Sequence, residues 1–209
     1  MENKMTITWL GHSCFKLESQ GYSLILDPYS DGNVPGLAFL REEANMVLMS
    51  HNHNDHNAKK NVQLVRDTAP NPFRIQELHT FHDEMEGALR GDNTIHIIND
   101  GTYRVAHLGD LGCSLDREQE DALQGLDVLM IPVGGYYTID AVKAHRIAER
   151  LIPKIVIPMH FRGENYGYNV LESVEEFLKL RYDVVRHQGN TLVLKRDTPW
   201  QTAVFTYKR

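Results

Sequence analysis

Apolar positions along this chain recur at a spacing of two or in short unbroken runs, with helical spacing in a few longer stretches. The runs "TITWL" (6–10), "CFKLE" (14–18) and "SLILD" (23–27) are separated by Gly-containing turns and predict an antiparallel meander. "ANMVLMS" (44–50) is almost continuously apolar, the pattern of a strand covered on both faces, and is expected as a buried central strand. A short helix is expected around 57–66 and a strand through "FRIQELHTF" (73–81). "TIHIIND" (94–100) and "TYRVAHLGD" (102–110) flank the "DG" pair at 100–101, a hairpin signal. "LDVLMIPV" (126–133) and "PKIVIPM" (153–159) read as buried strands joined by the helical pattern "DAVKAHRIAERL" (140–151), a βαβ unit. A last helix near 170–181 and two terminal strand runs complete the order. Such an order suits two β-sheets packed face to face with helices outside, and no linker divides residues 1–209, which are expected as one domain.

Composition narrows the chemistry. Hydrophobic residues make up 42% and charged residues 24%, ordinary for a globular protein, and no apolar run approaches the roughly 20 residues of a membrane span. The start, "MENKMTITWLGHSCF", has no apolar signal region, so a cytoplasmic location is expected. Cys14 and Cys113 are too few for a disulfide framework or a thiolate clip, which leaves histidine and carboxylate as the metal-binding side chains. With 22 Lys+Arg against 28 Asp+Glu the net charge is −6, which argues against a partner held mainly by nonspecific phosphate contacts and leaves nucleic acid only a local site; a homo-oligomer stays open.

The 11 histidines are the compositional oddity, and their placement carries the argument. "SHNHNDHN" (50–57) follows directly on an expected strand. His51 and His53 point the same way if the chain stays extended, and Asp55 and His56 come at the next turn, so one loop can supply half of a two-metal site. The alternative is a solvated loop, in which Asn52, Asn54 and Asn57 would be at home. In "HLGDLG" (107–112), Asp110 is flanked by Gly109 and Gly112, so that backbone can approach whatever the carboxylate touches. "IPMHF" (157–161) is a buried strand run ending on His160. Alone, Asp110 reads as a turn residue and His160 as a satisfied polar group; beside the histidine loop, both read as metal ligands.

These segments together resemble the metallo-β-lactamase superfamily, whose fold is an αββα sandwich of two mixed β-sheets with helices on the outer faces. The resemblance implies that its HxHxDH motif is met by His51, His53, Asp55 and His56, its bridging aspartate by Asp110 and its final histidine by His160. Asp27 in "LILDPY" matches an acidic residue that orients the histidine loop. "WLGHSCF", "HDEMEG", "HLGDLG" and "PVGGYYTID" followed by "PKIVIPMHF" are similar to a subgroup containing ascorbate-6-phosphate lactonases, N-acylphosphatidylethanolamine phospholipases and uncharacterised metal-dependent hydrolases. One further ligand is ambiguous, because "LHTFHDEMEG" offers His79 and His82, which face opposite ways on an extended segment. The family spacing, a histidine about five residues ahead of a glycine, selects His82 with Gly87.

The resemblance implies a binuclear hydrolase with one ion on His51, His53 and His82, the other on Asp55, His56 and His160, and Asp110 shared; Asp55 and Asp110 are the catalytic carboxylates. Zn²⁺ suits this donor set, with Mn²⁺ or Fe²⁺ as alternatives. A metal-bridging hydroxide would then attack a small ester, lactone or phosphodiester. His12 in the "GHS" turn is a candidate contact to substrate or to a ligand, and His107 a candidate supporting residue. Tyr136, Tyr137 and Arg162 are candidates for substrate selection from adjoining loops. His96, His145 and His187 carry no assigned function. The competing readings are a phosphodiesterase or nuclease acting on RNA, and a non-catalytic metal-binding sensor or assembly protein.

Overall fold

The computed structural model describes residues 4–65 and 69–207. In chain order the elements are β1 (Met5–Gly11), β2 (Cys14–Ser19), β3 (Tyr22–Leu26), β4 (Glu42–Ala44), β5 (Met46–Leu48), β6 (Val62–Leu64), β7 (Arg74–Phe81), β8 (Asp92–Asn99), β9 (Arg104–His107), α1 (Arg117–Ala122), β10 (Val128–Pro132), α2 (Ala141–Leu151), β11 (Ile155–Met159), α3 (Val174–Leu178), β12 (Val184–Arg186), β13 (Thr191–Leu194) and β14 (Gln201–Val204). They form a five-stranded sheet in the order β13-β1-β2-β3-β5, a seven-stranded sheet in the order β12-β14-β11-β10-β9-β8-β7, and a small β4-β6 ribbon. Both large sheets are mixed: β3 and β5 are parallel within an otherwise antiparallel sheet, and β7, β8 and β9 are antiparallel beside parallel β9, β10, β11, β14 and β12.

The period of two explains how the layers close. Along β1, Met5, Ile7 and Trp9 are buried in the main core while the residues between them are half-buried. On β3, Leu24 and Leu26 enter that core, and Ile25, facing the other way, joins a second cluster with Cys14, Tyr29, Val34, Leu37 and Val47. β10 is buried at all five positions because both of its faces are covered. α2 packs on it through Ala141, Ala144, Ile147, Ala148 and Leu151, spaced as one helical face, after an N-cap in which Asp140 accepts from the Lys143 amide.

The expected sandwich of two mixed sheets is the fold found, and several local expectations are corrected. All three α-helices among the described residues come after residue 116, with α2 and α3 packed on β10 and β11. On the five-stranded sheet, the second cluster takes Tyr29, Val34, Leu37 and Leu40 from segment 28–40, where Pro28, Pro35, and Gly32 and Gly36 at φ of 72° and 77° prevent a helix. The helix expected over 57–66 is a single 3₁₀ turn, Lys59–Asn61, followed by β6, because Val62 pairs in register with Glu42; residues 66–68 lie outside the described residues. The strand expected over 44–50 is split between β4 and β5, and β5 is an edge strand, half-buried at Met46 and Leu48. The last helix shortens to Val174–Leu178, three strands follow it instead of two, and α1, with its Asp116 and Gln119 capping box, was not anticipated. The β8–β9 hairpin is present, with Asn99 paired to Arg104.

Strand direction positions the site. β5 runs with β3, and β7, two antiparallel steps from β9, runs with β9 and β11. The C-terminal ends of β7, β9 and β11 therefore share one edge of their sheet, and those of β3 and β5 share one edge of theirs. The chemistry-bearing segments follow directly from these ends.

Candidate metal centre

Asp27 follows β3, the His51–His56 loop follows β5, His82 follows β7, Asp110 lies just beyond β9, and His160 follows β11. His12 sits in the β1–β2 turn. Asp27 and His160 leave their strands at φ of 46° and 53°, and His12 has φ of 53°, a left-handed conformation costly for residues with a Cβ. The loop of histidines is held down by Ser30 N donating to Asn54 O (2.8 Å) and Ala58 N donating to Pro28 O (2.7 Å).

Asp110 is the centre of the arrangement. Its Oδ2 lies 3.2 Å from Nε2 of His56, of His82 and of His160, and 3.8 Å from Nε2 of His51. The donor atoms of His51, His53 and His82 lie within 4.8 Å of one another, as do those of His12, Asp55, His56 and His160. His51, His53, Asp55, His56, His82, Asp110 and His160 thus come together, together with His12. His79 does not: it is exposed on β7, with Nε2 3.0 Å from Asp92 Oδ1. His96, His145 and His187 lie outside these groupings.

A second layer fixes which ring nitrogen faces inward. Asp27, fully buried, accepts from Ser50 N (2.6 Å) and Ser50 Oγ (2.5 Å) and from His56 Nδ1 (2.8 Å), which leaves His56 Nε2 turned to Asp110. Because the Ser50 hydroxyl proton goes to Asp27, its oxygen accepts from His51 Nδ1 (2.9 Å), and His51 Nε2 is likewise freed. Asn93 Oδ1 accepts from Asp110 N (2.9 Å) while its amide donates to Thr80 Oγ1 and Leu108 O. His107 is fully engaged elsewhere: Nε2 donates to Ser13 O (2.8 Å), and Nδ1 accepts from Gly109 N (3.1 Å). It ties the β1–β2 turn to the Asp110 loop. Two glycines permit this close packing, since a Cβ on Gly112 would lie 2.2 Å from His82 C and one on Gly134 would lie 2.1 Å from His160 O.

The electrostatics suit a cation. Burial works against charge on Asp110, yet His160 and His56 hold its carboxyl well below the usual range, and Asp27 and Asp55 are also lowered against burial, chiefly by His56. Burial lowers His12 to about 4 and His51 to about 3, so both are neutral with lone pairs available. His56 is raised, where Asp110, Asp27 and Asp55 outweigh burial. Three ionised carboxylates therefore face the neutral rings of His12 and His51. His51 Nε2, His56 Nε2, His160 Nε2 and Asp110 Oδ1 are buried with no hydrogen-bond partner, a costly state unless a metal ion takes them up. The residues present fit divalent metal.

A cleft of about 330 Å³ opens over the cluster, lined by His53, Asp55, His82, Asp110 and, around them, Arg90, Tyr137, Tyr168, Asn33 and Asn54. Arg90 lies 5.7 Å over the Tyr137 ring and makes no ion pair among the described residues, while Tyr168 Oη donates to Asn33 Oδ1 at 2.7 Å. The loop carrying Arg90 is wound on Asp83, whose carboxylate accepts from the amides of Met85, Gly87, Leu89 and Arg90. Tyr137 is thus at the cleft, whereas Arg162 is exposed, bonds Leu171 O through Nε, and does not line it; Tyr136 is exposed at φ of 57°. Ser50, Asn93, Arg90 and Tyr168 were not singled out from sequence. Ser50 adjoins the histidine motif, and the others carry no local mark.

Known proteins are similar to this chain over three quarters of its length or more. The Beta-lactamase superfamily domain family matches residues 6–160. A crystal structure from Thermotoga maritima, of a protein proposed to be a Zn-dependent hydrolase of the metallo-β-lactamase superfamily, is 33% identical, with a TM-score of 0.73 over 96% of this chain and 97% of that one. A metal-dependent hydrolase of Archaeoglobus fulgidus is 31% identical over 75% of this chain and 83% of its own length. One of Hyperthermus butylicus is 24% identical over 90% and 96%.

Proposed function

We propose a reaction for this chain from one premise: it belongs to the β-lactamase superfamily and is a metal-dependent hydrolase. The reading is a binuclear enzyme that hydrolyses a small ester, lactone or phosphodiester. One ion would be held by His51, His53 and His82, the other by Asp55, His56 and His160, with Asp110 between them. The nitrogen and oxygen donors suit Zn²⁺, and the same set is compatible with Mn²⁺ or Fe²⁺. When bound, such ions supply a Lewis acid and lower the pKa of water from about 15.7 toward about 7, so that hydroxide is available at neutral pH.

The chain's own groups do the rest. Asp27 and Ser50 fix the tautomers of His56 and His51, and Asn93 holds the Asp110 backbone, so that the donor atoms are oriented before any ligand arrives. The cleft volume, about 330 Å³, suits a small molecule. Arg90, braced on Tyr137, is the cation among the cleft-lining residues and would bind an anionic portion of the substrate.

The observation that carries this reading is the triple approach of His56, His82 and His160 to one oxygen of Asp110, each at 3.2 Å. The test is metal analysis of the purified protein together with turnover of bis(p-nitrophenyl) phosphate, p-nitrophenyl acetate and a simple lactone, for wild type and Asp110→Ala. Two divalent ions per chain and hydrolysis of at least one substrate are expected, with a greater loss of activity in Asp110→Ala than in any single imidazole variant. Full activity of a metal-loaded Asp110→Ala protein would overturn the shared-carboxylate assignment. Turnover untouched by complete metal removal would overturn the reading as a whole.

A further inference from the structure

The His12 side chain is fully buried, both of its ring nitrogens lack a hydrogen-bond partner, and no role described above uses it. A buried imidazole in that condition is costly, and the surrounding structure enforces it. His12 occupies the left-handed region at φ of 53°, and its carbonyl is pinned from two sides, by Trp9 Nε1 (2.9 Å) and by the His160 amide (3.4 Å). Pinned there, the ring lies 4.1 Å from that of His160 and 5.4 Å from that of His56, and Nε2 is 3.3 Å from Asp55 Oδ2. The third ring beside it, Tyr168, meets it edge-on at 5.7 Å.

We propose that His12 is itself a metal ligand, joining Asp55, His56 and His160 at the second metal position. This rests on the metal-dependent reading above and goes beyond it by assigning an additional protein donor. The donor atoms of these four residues lie within 4.8 Å of one another. With Asp110 added, the second position is enclosed by protein, the pattern of a tightly held ion, whereas catalytic positions stay open. The cleft leans the same way: besides the shared Asp110, two of the three residues at the first position, His53 and His82, line it, against one of the four at the second, Asp55, while His12, His56 and His160 do not. The open position is therefore the one on His51, His53 and His82, and the two ions differ in affinity.

The test is titration of metal-depleted protein with Co²⁺, reading the visible absorption of the bound ion and its affinity against a competing chelator. His12→Asn tolerates left-handed backbone and keeps an N–H donor toward Asp55; His12→Gly relieves the backbone and removes the ring. In both variants one of the two Co²⁺ equivalents should weaken by about 100-fold or more, beyond the loss usual for a supporting residue. Its absorption should shift, and imidazole added to His12→Gly should restore it. The other equivalent, retained, shows that the variants are folded. Should either variant misfold, cadmium-substituted wild type with isotopically labelled histidine answers directly, through metal–nitrogen coupling at the His12 ring. Wild-type affinity and spectrum in His12→Asn, or no such coupling, overturns the proposal while leaving the hydrolase reading intact. A wild-type protein that binds no Co²⁺ overturns both.

Discussion

Asp27 and His56 are joined through Oδ2 and Nδ1 at 2.8 Å, with both side chains wholly removed from solvent. Every acceptor direction Asp27 uses is met by a donor, from Ser50 N, Ser50 Oγ and the His56 ring. An amide in its place would turn an NH₂ group against one of those donors. Asp27→Asn should therefore lower metal affinity by about 10–100-fold and destabilise the metal-free protein by about 3 kcal/mol. Chelator competition and urea unfolding measure the two effects; unchanged metal affinity would remove Asp27 from the orienting role.

Gly112 and Gly134 let separate loops touch the backbones of His82 and His160, with an added Cβ at 2.2 Å and 2.1 Å. Gly112→Ala and Gly134→Ala should each cost about 1–3 kcal/mol as the loops are pushed apart. Metal affinity should fall as well, because the displaced segments carry His82 and His160, two of the proposed ligands. A variant with native stability and native metal content would show that the loops can yield without moving the histidines.

The metal-free protein should weaken below neutral pH. Burial lowers His12 to about 4 and His51 to about 3, and lowers His53, His96 and His107 as well. Each of these takes a proton near pH 6.5 once unfolded but not while folded, so their contribution is complete above about pH 6.5 and is lost as pH falls toward the folded values. His56, raised by Asp110, Asp27 and Asp55 against burial, acts in the opposite sense: its contribution is full below about pH 6.5 and disappears as pH rises through its folded value. Five lowered groups against one raised group make the first trend dominant. The urea midpoint should drop between about pH 7 and pH 5, and a flat profile over that window would contradict the burial of these rings.

Arg90 faces the cleft without an ion-pair partner among the described residues. Arg90→Ala should raise KM for a phosphodiester by about 10-fold or more while leaving KM for a neutral ester nearly unchanged, because only the former offers an anion to the guanidinium. Arg90→Lys should recover little, since the planar fork stacked on Tyr137 is lost. Equal KM changes for charged and neutral substrates would assign Arg90 to the cleft's shape instead.

The local pattern of the chain was enough to reveal most strands and the βαβ unit, and to mark His51, His53, Asp55, His56, Asp110 and His160 as candidates for the centre. Alternation along β1 and the unbroken apolar run of β10 depend only on which faces are covered, and that is written in neighbouring residues. His51, His53, Asp55, His56, Asp110 and His160 stand immediately past strands, so their type and position mark themselves. The stretch at 57–66 misled because its polar spacing favours a helix in isolation, whereas the structure pairs Val62–Leu64 with Glu42–Ala44, a contact of distant segments.

Only the tertiary structure decided which groups share a neighbourhood. Whether His79 or His82 turns toward Asp110 depends on the pairing of β7 with β8, and Ser50, Asn93 and Arg90 acquire their places from partners 17 to 47 residues away or from a loop wound on Asp83. His12 is the clearest instance: the "GHS" turn marks it only as a candidate contact, and its ring meets that of His160, 148 positions later, because the β1–β2 turn lies against the end of β11. Sequence fixes the kinds of donor a chain can offer. Convergence is a property of strand direction and register, which arise from hydrogen bonds between segments that do not adjoin.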